Sequence, residues 1–170
     1  MTYELQQTLN IDRIFLIFFG GLMWGISQDP DLSKLSESQV AQIKAEVKQA
    51  AIDHLNTKDA ETALSHFADD IIAVSNDKFF PSFDALAKDV RAYYEILEEV
   101  NLAAWDDIHI RVISRNAAVF TAQFRYSFTS KDNNRTDLQG IWTTLYVRDK
   151  GRWKIRVRHE SFVENKGGRQ

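Results

Sequence analysis

A change of period near residue 101 constrains this chain more than any other feature. Before it, apolar residues recur three and four apart; after it, they alternate. Val40, Ile43, Val47, Ala51, His54 and Leu55 form one face of a helix of about 20 residues. Ser36 followed by Gln39 is a capping-box start for it. Asn56 to Asp59 breaks that pattern, and Asp59 can cap a second, short helix carrying Ala63, Leu64 and Phe67, which Asp69 and Asp70 end. Ile71 to Ser75 reads as a short strand. Ser82 is the predicted N-cap of a third helix whose buried stripe is Phe83, Leu86, Val90, Tyr93, Tyr94 and Leu97.

Beyond Asn101 the pattern predicts four long strands. Ile108, Ile110 and Val112 alternate with His109 and Arg111. Ala118, Phe120, Ala122, Phe124, Tyr126 and Phe128 alternate over the next strand. Gln139 to Arg148 forms a third, and Trp153, Ile155, Val157, His159 and Ser161 mark the last. Turn signals separate them at Ser114–Asn116, Asp132–Asn134 and Asp149–Gly151. Helices segregated from a meander predict an α+β fold, with three N-terminal helices packed on a curved antiparallel sheet.

Composition narrows the function classes. Net charge is −3, and no basic patch interleaved with aromatics appears, which argues against a nucleic-acid partner. The chain has no cysteine, so disulfides and thiolate chemistry are excluded. The four histidines show no close ligand spacing, so neither a metal nor another cofactor is expected. Ile14 to Ile26 is an apolar run of 13 residues, short of the roughly 20 that span a membrane. It has the length of a signal-peptide core, and Gly25-Ile26-Ser27 offers a cleavage site before Gln28. The expected organisation is a leader or apolar segment over 1–27, a linker over 28–35, the domain over 36–163 and a tail over 164–170. The mature protein is then periplasmic or secreted, with no membrane association; a cytoplasmic protein with an apolar N-terminal helix is the alternative.

Three stretches carry a family resemblance. AAIDHLNTKDAETALSHFADDIIAV is similar to the first two helices and opening strand of nuclear transport factor 2-like domains of the SnoaL-like branch. FFPSFDALAKDVRAYY resembles their third helix, and GIWTTLYVRDKGRWKIRVRHESF their closing hairpin. The resemblance implies a cone with a pocket between the third helix and the concave sheet face. It covers isomerases, dehydratases and cyclases as well as subunits that only bind or assemble, and it implies a homodimer through the outer sheet face. Fold alone therefore leaves function open.

Alternation places Trp153, Ile155, Val157, His159 and Ser161 on one face of the last strand, read as concave. His159 is then the first candidate for a general base or ligand donor, against the plainer reading of a core histidine satisfied by a carbonyl. Tyr93 and Tyr94 can present phenols to the cavity, with Tyr94 as the acid–base partner of His159. Phe83, Val90 and Phe124 are its expected apolar wall. Gln139 and Thr143 share their strand's assumed concave side with Ile141 and Leu145, leaving Trp142 and Tyr146 outward as interface candidates. His54 on the first helix reads as a satisfied core residue. The favoured function is binding of a mainly apolar small molecule. The alternatives are a cofactor-independent isomerase, dehydratase or cyclase, and a non-catalytic dimerisation module.

Overall fold

Each helix begins where a polar side chain can satisfy its first backbone N–H groups. In the computed structural model, which describes residues 35–164, Ser36 Oγ accepts from Gln39 N at 3.2 Å and Gln39 Oε1 accepts from Ser36 N at 3.0 Å. This capping box opens α1 (Glu37–Leu55). Asp59 caps α2 (Ala60–Leu64), accepting from Thr62 N at 2.8 Å. Ser82 caps α3 (Phe83–Ile96), accepting from Ala85 N at 3.3 Å. The expected leader, most of the linker and the end of the tail lie outside the described residues.

The strands are β1 (Phe67–Ser75), β2 (Lys78–Phe80), β3 (Leu97–Ser114), β4 (Ala117–Ser130), β5 (Arg135–Asp149) and β6 (Arg152–Glu164). They form one sheet in the order β2-β1-β6-β5-β4-β3, with β1 parallel to β6 and every other pair antiparallel. The helices pack on one face of this curved, unclosed sheet, as the period change predicts. Lys150 at φ 47° and Gly151 at φ 82° make the β5–β6 turn, a pair of positive φ values that matches the twist of the flanking strands.

Several boundaries differ from the sequence expectation. Phe67, Asp69 and Asp70 belong to β1, because the short helix stops at Leu64 and the chain extends at once to pair with β6. β3 begins at Leu97, directly after α3, since pairing with β4 supplies the hydrogen bonds that local periodicity lacks.

Ile43, Val47 and Ala51 of α1, Leu86 of α3, and Phe120, Tyr146 and Ile155 of the sheet are buried in one core. Two tryptophans lock α1 onto the strands. Trp105 Nε1 donates to Ala51 O at 3.1 Å, and Trp153 Nε1 donates to Glu46 Oε2 at 3.0 Å. Arg148 also binds Glu46, and its guanidinium lies 4.7 Å from the Trp153 ring centre. Those contacts hold the Glu46 carboxyl below its ordinary pKa, the Trp153 hydrogen bond being the largest cause.

The sheet is not a uniform pleat, and one irregularity matters most. On β5, Leu145 and Tyr146 are consecutive, yet they pair with Val157 and Ile155 of β6. Arg156 is therefore an extra residue, a β-bulge. It reverses which side each later residue of β6 faces: Trp153 and Ile155 are buried, and then Arg158 at 7% exposure is buried while Val157 is 41% exposed.

Candidate functional site

The inner face of the sheet, α3 and the end of α1 line a half-open cavity of about 310 Å³. Val90, Tyr93 and Tyr94 line it from α3, and His54, Leu55 and Thr57 from the end of α1. Trp105, Phe124, Tyr126 and Trp142 form its aromatic floor. Arg158, Glu160 and Phe162 enter from β6, and Lys78 and Asp89 form an ion pair of 3.2 Å on its wall.

The phenols are tied in pairs. Tyr93 and Tyr126 share a hydrogen bond of 2.7 Å between their hydroxyls. Two hydroxyls sharing one hydrogen bond keep one O–H free. Tyr94 Oη contacts the Thr57 hydroxyl at 2.8 Å and donates to Thr57 O at 3.2 Å. Burial raises the pKa of all three phenols, so each stays protonated.

His54 sits where the apolar stripe of α1 meets the cavity. Its ring is edge-on to His66 at 5.4 Å and to Phe67 at 5.1 Å between centres, and 5.7 Å from Trp142. Nδ1 is sealed from solvent without a hydrogen-bond partner among the described residues. Desolvation, followed by the fields of His66 and Arg158, lowers its pKa from 6.5 to about 3. His54 is thus a neutral imidazole at any ordinary pH.

Arg158 lies across from it. Its guanidinium carbon is 5.3 Å from the Trp142 ring centre and 5.8 Å from that of Phe67. Nη2 reaches Glu160 Oε1 at 3.5 Å, and Nε has no partner among the described residues.

The sequence-derived candidates divide cleanly. Tyr93, Tyr94, Val90 and Phe124 line the cavity. Phe83 packs on the core without lining it, and Trp153 is occupied in the Glu46 contact. Val157, His159 and Ser161 face outward, because the Arg156 bulge breaks the alternation that placed them inside. Gln139, Thr143 and Ile141 also lie on the outer face, paired across to Val163, His159 and Ser161. Trp142 and Tyr146 take the helix-covered face instead, at 7% and 1% exposure, so they are core residues and not an interface. Both sides of β5 are apolar, and the side that accommodates the larger rings faces the helices.

Sequence reasoning missed Trp105, Tyr126, Trp142, Arg158, Glu160 and Phe162 as lining groups, and took His54 for a satisfied residue. The one available signal was charge: Arg158 and Glu160 lie two apart, hence on one strand face, in a stretch rich in large apolar residues.

No curated protein sequence matches the chain. Its fold is similar to that of a Novosphingobium aromaticivorans protein provisionally named a scytalone dehydratase, with TM-score 0.71, 14% identity, and 79% of this chain and 94% of that one covered. It is also similar to the hexachlorocyclohexane dehydrochlorinase LinA-type3 from Novosphingobium barchaimii, with TM-score 0.62, 13% identity, and 78% and 96% covered. A Xanthomonas campestris protein provisionally named a calcium/calmodulin dependent protein kinase II association domain superposes with TM-score 0.55, 16% identity, and 72% and 86% covered. At these identities the likeness shows the fold alone. The SnoaL-like domain model, however, matches residues 45–164, most of the chain, and the chain belongs to the SnoaL-like family within the nuclear transport factor 2-like fold.

Proposed function

We propose that this domain binds a small, mainly apolar organic molecule in the cavity between α3 and the inner sheet face. The observation that carries this reading is the cavity itself. At about 310 Å³ it lies at the lower end of the range for small-molecule sites. Its wall is mostly aromatic and aliphatic, with a few polar groups converging on it, the composition such sites require. Trp105 and Trp142 line it, so ligand entry should change tryptophan emission. The test is a fluorescence titration of wild type and Val90→Trp, with mass spectrometry of any molecule retained through purification. Val90→Trp fills the cavity and should abolish binding while the protein stays folded. A variant that binds as tightly as wild type refutes the reading.

A cofactor-independent elimination or isomerisation is the second reading. An imidazole and a phenol pair lining one cavity favour it, and two of the similar structures bear the names of a dehydratase and a dehydrochlorinase. General-base catalysis works best when the base has a pKa near the working pH. An imidazole at about 3 is a weak base at neutral pH. This ranks binding ahead of catalysis. Loss of turnover in His54→Ala at unchanged stability would support catalysis.

The outer sheet face supports a homodimer. Ile72, Ile141, Val157 and Val163 are 46%, 52%, 41% and 58% exposed on it. Large apolar side chains gathered on one exposed sheet face are what a subunit contact would cover. His159, Thr143 and Ser161 would then belong to the subunit contact.

A further inference from the structure

We propose that the ligand of this cavity is a carboxylic acid whose carboxylate docks on Arg158. The inference rests on the reading of the cavity as a ligand site and names the chemical class of its occupant. Arg158 is 7% exposed, and its guanidinium carries five N–H donors. Against those five, the described residues give it one ionic contact, Nη2 to Glu160 Oε1 at 3.5 Å. Its Nε is enclosed and has no partner among the described residues.

The protein makes better ion pairs where they matter less. At the surface, Arg125 holds Asp106 through two contacts of 2.7 and 3.2 Å, and Arg91 holds Glu61 through contacts of 2.8 and 3.4 Å. A buried charge with poor pairing is costly, and a fold that kept Arg158 solely for stability would have given it the tight, two-point geometry found at Arg125. The loosest of these pairs is instead the one inside the cavity. A planar oxyanion suits the guanidinium donors that Glu160 leaves free, because arginine and carboxylate meet through parallel hydrogen bonds. Cation–π contacts at 5.3 Å to the Trp142 ring centre and 5.8 Å to that of Phe67 hold the guanidinium against the cavity's aromatic wall.

The acid's body would lie along Val90 and Phe124, and its added charge has a neighbour able to answer it. His54 is neutral partly through the field of Arg158, and a carboxylate on Arg158 weakens that field. Glu160 competes with the ligand for the same guanidinium. Neutralising it must therefore tighten acid binding, which a neutral ligand would not register.

The test is isothermal titration calorimetry with two matched pairs, octanoate against octanamide and phenylbutyrate against phenylbutanamide. The acid should bind at least about tenfold tighter than its amide. Arg158→Gln should erase that preference, and Glu160→Gln should tighten the acid severalfold with the amide unchanged. Glu160→Gln leaves the arginine in place, so it decides the matter even if Arg158→Gln fails to fold. Equal binding of acid and amide, or an acid affinity unmoved by Glu160→Gln, overturns the carboxylate and leaves the cavity as a site for neutral ligands. Failure of all four compounds to bind overturns the ligand-site reading and this inference with it.

Discussion

His54 makes a quantitative prediction about stability against pH. The unfolded chain protonates this imidazole near 6.5, whereas the folded protein does so only at about 3. Between those values the unfolded state binds a proton that the folded state refuses, so stability falls as pH falls. The contribution is fully present above pH 6.5 and is lost on the way down to 3. Each pH unit is worth 1.36 kcal/mol, which gives about 5 kcal/mol over the whole window and about 2 kcal/mol between pH 7 and pH 5. Urea unfolding at 25 °C at both pH values, on wild type and His54→Gln, isolates the effect. Carboxylates titrate in both proteins and cancel, as does His66, whose pKa burial also lowers. Wild type should lose about 2 kcal/mol more than His54→Gln between pH 7 and pH 5. Equal losses in the two proteins would mean that the imidazole charges freely inside the fold, and the account of a sealed, neutral His54 would be wrong.

Gly140 pairs with Phe162 of β6, and a Cβ there would collide with the Ser161 carbonyl oxygen and meet Phe162 Cβ at 2.7 Å. Gly140→Ala should therefore cost about 1–3 kcal/mol, read from the urea midpoint. His159→Ala, on the outer face, should leave ligand affinity unchanged and stability within about 0.5 kcal/mol. Trp142→Ala should lose about 3–5 kcal/mol, because a buried indole leaves a cavity behind. Ile141→Glu with Val157→Glu should convert a dimer to monomers on sizing chromatography, and a monomeric wild type at high concentration would refute the outer-face interface.

Much of the architecture was legible in the chain itself. Capping residues at Ser36, Asp59 and Ser82 start their helices where local chemistry puts them, and the Asp149–Gly151 turn closes the hairpin. Alternation correctly aligned Ala118, Phe120, Ala122 and Phe124 on the buried face of β4, since no bulge interrupts its pairing with β5. Tyr93, Tyr94 and Val90 could be placed on the cavity because helical periodicity is set by hydrogen bonds within the segment.

The chemistry of the site was another matter. Alternation along a strand is a local rule, but the face each residue occupies depends on its neighbour strand. From Trp153 to Ser161 the sequence keeps the same two-residue rhythm. One bulge at Arg156 reverses the outcome, moving His159 to the outer surface and Arg158 with Glu160 into the cavity. No signal at Arg156 announces the bulge; it appears only in the pairing of β6 with its neighbours, as a register shift against both β5 and β1. The amino-acid order thus determined which segments coil, extend and turn, through interactions a few residues in range. Which side chains meet in the hollow was decided only when separated strands were brought into register, since a shift of one residue there exchanges inside for outside.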